Sequence, residues 1–410
     1  MKLLVPWLLL AVALPLHAEN WPRFRGPTGQ GISTEEALPL TWSAETNIIW
    51  KTEVPGESWS SPIVWGDRIF LTTAADSGAV CRLIALDRKS GAILWNAELF
   101  QQQLKRKESK NSYATPTPVT DGESVFAVFG GGGIAALDMD GAVRWKNSDV
   151  KFYSQHGLGA SPVLYGDLLI MPFDGSSEGA DKSVGWQKPW DQSFILALDK
   201  KSGRERWRGK RGTSRIAHAT PVFTRADDRE LMLTNAGDVV QAFDPKSGAR
   251  LWSVYCQGEG VVPSLSFKEG LLFSSSGFEK STLRGIRFNA REASIAWEQT
   301  KGVPKLSSMI YAAPHLFSVG DGGVAMCQLG DTGEILWQER LGGTFSASPI
   351  FAAGRIYFLN EQGETVVVDA APQFKVLARN ALNEKCQASP AAAQQQIFIR
   401  SEKHLFCIGQ

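Results

Sequence analysis

The 410-residue chain has no adjacent pair of cysteines and no C-x-x-C; its five cysteines, Cys81, Cys256, Cys327, Cys386 and Cys407, are scattered. That spacing excludes a metal knuckle and a thiol redox motif. It leaves open a Cys386–Cys407 bridge, or cysteines that serve as small buried hydrophobes. Neither sign of charge dominates, since 43 Lys+Arg meet 42 Asp+Glu for a formal net charge of +1. No global field therefore draws nucleic acid or anionic lipid. The five histidines show no ligand spacing. The four glycines at 130–133 precede no Lys-Ser/Thr pair, which a phosphate loop needs. After residue 18 no apolar run approaches the length of a membrane span.

The first eighteen residues have their own pattern. A basic start (Met1-Lys2) leads into an apolar run over 3–16, and Leu16-His17-Ala18 offers a small residue before Glu19. This predicts a secretory signal peptide cleaved near Ala18, and a periplasmic or secreted mature protein. No cysteine follows the run, so no lipid anchor is expected, and the mature chain is expected to be a monomer. Residues 19–45, rich in Gly and Pro but carrying Trp21 and Phe24, read as an ordered arm packed on the fold.

What the sequence does contain is a repeat. The pattern A-x-D-x-x-x-G-x-x-x-W runs through Ala85, Asp87, Gly91 and Trp95, then Ala197, Asp199, Gly203 and Trp207, then Ala242, Asp244, Gly248 and Trp252. A copy one residue shorter uses Ala136, Asp138, Gly141 and Trp145. In each copy a strand ends, Asp caps a turn by accepting amide bonds, Gly supplies the turn geometry, and a second strand carries the Trp away. Trp50, Trp297 and Trp337 continue the series, and Leu377 takes the eighth place. Cys327 and Cys407 stand where other copies have the small Ala.

A second marker, a small residue before Pro, starts the repeats: Ser61-Pro62, Thr117-Pro118, Ser161-Pro162, Thr220-Pro221, Val262-Pro263, Ala313-Pro314, Ser348-Pro349 and Ser389-Pro390. Both markers count eight. Short strands at even spacing with Gly and Asp turns predict an all-β propeller over 46–410, one domain of eight four-stranded antiparallel blades. The first strand, around Trp50, lacks its blade, and the last three strands lack a fourth. Pairing them closes the ring and removes the exposed edges.

The eleven-residue motif resembles the tryptophan-docking motif of quinoprotein-type eight-bladed propellers, and the opening Trp21-Pro22-x-Phe24-Arg25-Gly26-Pro27 is similar to the start of exported PQQ-binding-like proteins. The resemblance covers the chain from Thr46 to Gln410. It implies that each Trp packs against the neighbouring blade. The family holds quinone- and calcium-dependent alcohol and sugar dehydrogenases, and also BamB-like scaffolds without a cofactor. The chain departs from the dehydrogenases: it lacks adjacent cysteines, is much shorter, and offers no Asp/Glu/Asn set to hold calcium. The expectation is a non-catalytic binding or protein-interaction scaffold with no bound quinone and no metal, its partner a protein or a small ligand. The alternative is a quinoprotein alcohol or sugar dehydrogenase, and a third reading is a polysaccharide hydrolase or lyase.

The residue three before each Pro marker should line one mouth of the axial channel: Trp59, Thr115, Gly159, His218, Gly260, Tyr311, Ser346 and Gln387. Trp59, His218, Tyr311 and Gln387 are the binding candidates there, since ligand clefts combine aromatics with a few polar groups. Trp186 and Trp190 join them because they share a long loop over 174–192. The basic runs at 101–111 and 210–215 read as solvated loops. No catalytic residue is assigned.

Overall fold

The computed structural model describes residues 19–409, so the signal peptide expected at 1–18 lies outside the described residues. Among the described residues, 32 strands form eight four-stranded antiparallel sheets. Blade 1 is β2 (Ile63–Trp65), β3 (Arg68–Ala75), β4 (Val80–Asp87) and β5 (Ile93–Gln101), ordered from the axis outward. Blades 2 to 7 repeat this over 119–147, 163–210, 222–256, 266–299, 310–340 and 350–381. Blade 8 combines β30 (Ala391–Ala393), β31 (Gln396–Arg400) and β32 (His404–Ile408) with β1 (Ile48–Glu53), which pairs antiparallel with β32 and closes the ring.

The motif residues behave as turn and packing chemistry requires. The Asp87 carboxylate accepts the amides of Lys89 and Ser90 at 3.1 and 2.7 Å, and Asp138, Asp199 and Asp244 cap their turns likewise. The Ser90 hydroxyl, then its amide, holds the Asp87 carboxyl below the usual carboxylate range. Gly91 has φ +73°, and a Cβ there would stand 2.6 Å from the ring of Trp50 in the preceding blade. Gly203 faces Trp145 in the same way at 2.5 Å, and Gly248 faces Trp207 at 2.4 Å. The glycine thus serves twice, as a left-handed turn residue and as the seat of its neighbour's indole. The indole N–H then donates across the blade boundary: Trp50 to Arg88 O at 2.8 Å, Trp95 to Met139 O at 3.0 Å, Trp145 to Lys200 O at 2.9 Å. Trp252, Trp297 and Trp337 do the same to Asn289, Gly330 and Ala371.

A bulge precedes each of these tryptophans and sets it opposite the small residue of the motif, as in Ala85↔Trp95, Cys327↔Trp337 and Cys407↔Trp50. In blade 7 the bulge residue is Leu377 and the residue in the Trp register is Ala378, opposite Val367. Leu377 is therefore one position away from the eighth place assigned to it. The missing indole comes from the arm. Trp42 stacks on Tyr357 at 6.4 Å, and Tyr357 holds the strand position at which Phe70, Phe126, Phe273, Phe317 and Phe398 pack against the Trp of their own blades. Asn380 fixes the graft by accepting the Trp42 amide at 2.9 Å and donating to Leu40 O at 3.0 Å.

All five cysteines are buried and free, so no Cys386–Cys407 bridge forms. No helix among the described residues is long and apolar enough to cross a membrane.

Candidate functional site

The innermost strands carry a ring of hydroxyls just inside the mouth. The amide of Ser61 donates to Thr117 Oγ1 at 3.0 Å, Thr117 to Ser161, Ser161 to Thr220, Thr220 to Ser264, Ser264 to Ser308, Ser308 to Ser348, and Ser348 to Ser389. Blades 2 to 8 each accept a bond from the one before, and all eight members of the series are buried. The marker's essential atom is thus the hydroxyl, and the proline beside it is optional: blade 5 has Ser264-Leu265 and blade 6 has Ser308-Met309.

Counting two residues back from each hydroxyl gives Trp59, Thr115, Gly159, His218, Val262, Leu306, Ser346 and Gln387. All eight are half-buried, and each has a buried residue on its C-terminal side. This is the ring that lines the upper mouth. Val262 replaces Gly260 in it and Leu306 replaces Tyr311, because Val262-Pro263 and Ala313-Pro314 do not occupy the marker register. The Ala313-Pro314 pair sits in the turn after β22 (Ile310–Ala312), and Tyr311 lies in β22 against Phe273 at 4.6 Å, lining a cleft on the opposite face. The hydroxyl pattern, had it been weighted above the proline, would have found both substitutes.

One side of the upper mouth is aromatic. His218 lies 6.4 Å from His156, whose ring meets Trp186 at 5.6 Å. Burial, then the nearby His156, pushes the His218 imidazole down to about 3, and its Nδ1 is buried without a partner. Trp186 reaches this cluster because its loop is stitched to the 214–216 segment, where Ile216 N–H donates to Gly185 O at 2.7 Å. Trp190 does not come with it. Its backbone pairs with Ser214, and its side chain lines a separate pocket with Phe152 and Phe194. Further round the mouth, Lys385 lies 5.3 Å from the centre of the Trp59 ring, and Gln387 Oε1 is buried without a partner.

The loop over 101–111 is largely exposed, as expected of a solvated excursion, but it is not free, being tied down on both sides of this opening. Glu108 and Asn111 donate to His156 O at 3.2 and 2.8 Å, and Lys110 pairs with Glu361 of blade 7 at 2.9 Å. Burial raises the Glu361 carboxyl, but bonds from the Ser346 hydroxyl and Lys110 more than offset this, so it titrates below its ordinary range. Nor are the arginines of 210–215 solvated. Arg211 makes a bidentate pair with Asp174 at 2.8 and 2.7 Å, with both side chains fully buried. Arg215 makes one with Asp238 at 2.7 and 2.7 Å. Sequence reasoning missed both pairs because the partners lie 37 and 23 positions away with no local signal.

Among the described residues no three His, Cys, Asp or Glu side chains converge to hold a metal ion. The nearby guanidinium groups of Arg211 and Arg215 are committed to Asp174 and Asp238.

Comparison with known proteins is consistent with the architecture. No curated protein matches the sequence. Among solved structures, BamB from Moraxella catarrhalis is 17% identical with a TM-score of 0.61, over 88% of this chain and 97% of that one. A europium-containing methanol dehydrogenase is 11% identical with a TM-score of 0.68, over 94% and 90%. A quinohemoprotein alcohol dehydrogenase from Comamonas testosteroni is 10% identical with a TM-score of 0.66, over 95% and 81%. At these identities the likeness is one of fold. The family model described as outer membrane protein assembly factor BamB matches residues 32–151 and 191–408, and with most of its length so matched the chain belongs to that family.

Proposed function

We propose that this protein is a non-catalytic binding or protein-interaction scaffold of an exported compartment, that it works without quinone or calcium, and that its upper mouth is the contact surface. The observation that carries this reading is the mouth itself. Trp59, His218, His156 and Trp186 offer apolar and aromatic area, Gln387 and Ser346 offer amide and hydroxyl groups, and among the described residues no group of three His, Cys, Asp or Glu side chains converges to hold a metal. Aromatic residues with a few polar groups are the composition of a recognition surface. The family description supports a partner that is a protein of the outer-membrane assembly apparatus, and the apolar leader supports export. The working unit on this reading is a monomer.

The test has two arms. Purified protein is titrated with pyrroloquinoline quinone and calcium while the absorbance spectrum and dye reduction with alcohols and sugars are recorded. Stoichiometric uptake with turnover sinks the scaffold reading in favour of the dehydrogenase. In the second arm a photo-crosslinking side chain is placed at Gln387 and, as a control, at Tyr255 on the outer strand of blade 4. Partner crosslinks confined to position 387 are expected; equal crosslinking at 255 overturns the assignment of the mouth.

A further inference from the structure

The face opposite this mouth is crossed by the N-terminal arm. Trp21 exchanges two backbone bonds with Val64 of blade 1, and Pro22 O accepts from Thr120 of blade 2. Gln30 accepts from Phe267 N–H of blade 5, Gly31 O from Phe351 of blade 7, and Glu35 from Gln394 of blade 8. Blades 1 and 5 are diametrically opposed in an eight-bladed ring, so the arm spans the axis. Between it and the inner strands of blades 2 to 6 lies a cleft of about 840 Å³, within the size range of small-molecule sites.

The arm brings two arginines to this face, and neither has a carboxylate partner among the described residues. Arg23 is 9% exposed and lines the cleft. Its Nε donates one long bond, 3.3 Å, to Gly26 O, while Nη1 and Nη2 make no hydrogen bond among the described residues. Arg25 donates through Nη2 to Gln30 O, Ser266 Oγ and Met309 O, and its Nε and Nη1 are buried without partners. Burial pushes Arg23 down to about 10; burial, then Arg23, pushes Arg25 down to about 9. Two other buried arginines, Arg211 and Arg215, are completed by bidentate carboxylates, whereas Arg400, fully buried away from this cleft's lining, has no partner among the described residues. A buried guanidinium fork left open is costly unless an anion completes it, and the fork of Arg23 opens on a cleft large enough to admit one.

The lining matches such an anion. Phe223, Phe267 and Tyr311 provide aromatic area, and the Tyr311 hydroxyl makes no hydrogen bond among the described residues. The acidic lining residue Asp121 is engaged by Lys200 at 3.1 Å, and Glu269 by Lys268 at 3.8 Å. The uncompensated charge facing the cleft is thus positive.

We propose that this cleft binds a small amphipathic carboxylate, its head on the Arg23 guanidinium and its apolar body along Phe223, Phe267 and Tyr311. The test is calorimetry on the purified full chain with 2-naphthoate and with 2-naphthol, its uncharged analogue. Naphthoate is expected to bind at least ten times more tightly than naphthol and to weaken as salt is raised. Arg23→Gln, checked for folding by circular dichroism, is expected to lose tenfold or more in affinity, while Tyr255→Ser on the far outer strand leaves it unchanged. Should Arg23→Gln misfold, Phe267→Ser provides the same reading from the apolar wall. Equal binding of the two probes, no binding of naphthoate, or a folded Arg23→Gln that binds like the parent overturns the proposal.

Discussion

The amide of Ser264 donates to the hydroxyl of Ser308 at 3.0 Å, and the amide of Ser308 in turn donates to Ser348 at 3.1 Å. This is one link of a chain of hydroxyls that joins consecutive inner strands around the axis. Ser308→Ala strands the buried Ser264 N–H, at a cost of about 1–3 kcal/mol. Ser308→Thr keeps the acceptor. Urea unfolding midpoints should fall for the first variant and stay near the parent for the second; equal loss in both would mean that size, not the bond, matters here.

The glycine seats yield a paired comparison. Gly203→Ala and Gly66→Ala both place a Cβ on a left-handed residue, at φ +68° and +57°, a strain of about 1–2 kcal/mol. Only Gly203 has an indole against it, with Trp145 at 2.5 Å, whereas Gly66 has nothing within 4 Å. The Gly203 variant should lose clearly more stability, and Trp145 fluorescence should change only there.

Trp42→Ala removes the graft that completes blade 7. Deleting a buried aromatic of this size costs about 3–5 kcal/mol. Limited proteolysis should then cut the arm between residues 34 and 46 well before the propeller, whereas the parent arm resists.

The Arg211–Asp174 pair predicts a marked asymmetry. Asp174→Asn alone leaves a buried guanidinium without its counter-charge, and breaking such a pair costs about 3–5 kcal/mol. Replacing both residues, as Asp174→Leu with Arg211→Met, should recover much of that loss. A double-mutant cycle read by denaturant midpoints decides; additive losses would place the pair's importance in packing instead.

Protonation of His218 couples to folding. Its folded pKa, about 3, lies below the ordinary value near 6.5, so between these values the unfolded chain binds the extra proton. Stability from this residue is therefore full above pH 6.5 and declines as the pH falls towards 3. His218→Phe should flatten that part of the stability profile relative to the parent, and parallel profiles would refute the assignment.

The sequence by itself determined the blade and its number. Asp87, Gly91 and Trp95 act within eleven residues, through turn capping, a left-handed glycine and a large ring, and such local chemistry is readable wherever it recurs. Ring closure by β1 (Ile48–Glu53) was legible for the same reason, since the missing strand at one end matched the surplus at the other. The hydroxyl register of the inner strands was legible in six of eight blades and was missed at Val262-Pro263 and Ala313-Pro314, where proline was followed instead of the hydroxyl. Tertiary structure alone decided that Trp42 fills the blade 7 seat, beside an Asn380 lying 338 positions away. It also decided that Arg211 and Arg215 find carboxylates while Arg23 does not. These are contacts between residues that only ring closure brings together, and no local pattern in a chain encodes which distant side chain will fill a gap or neutralise a charge.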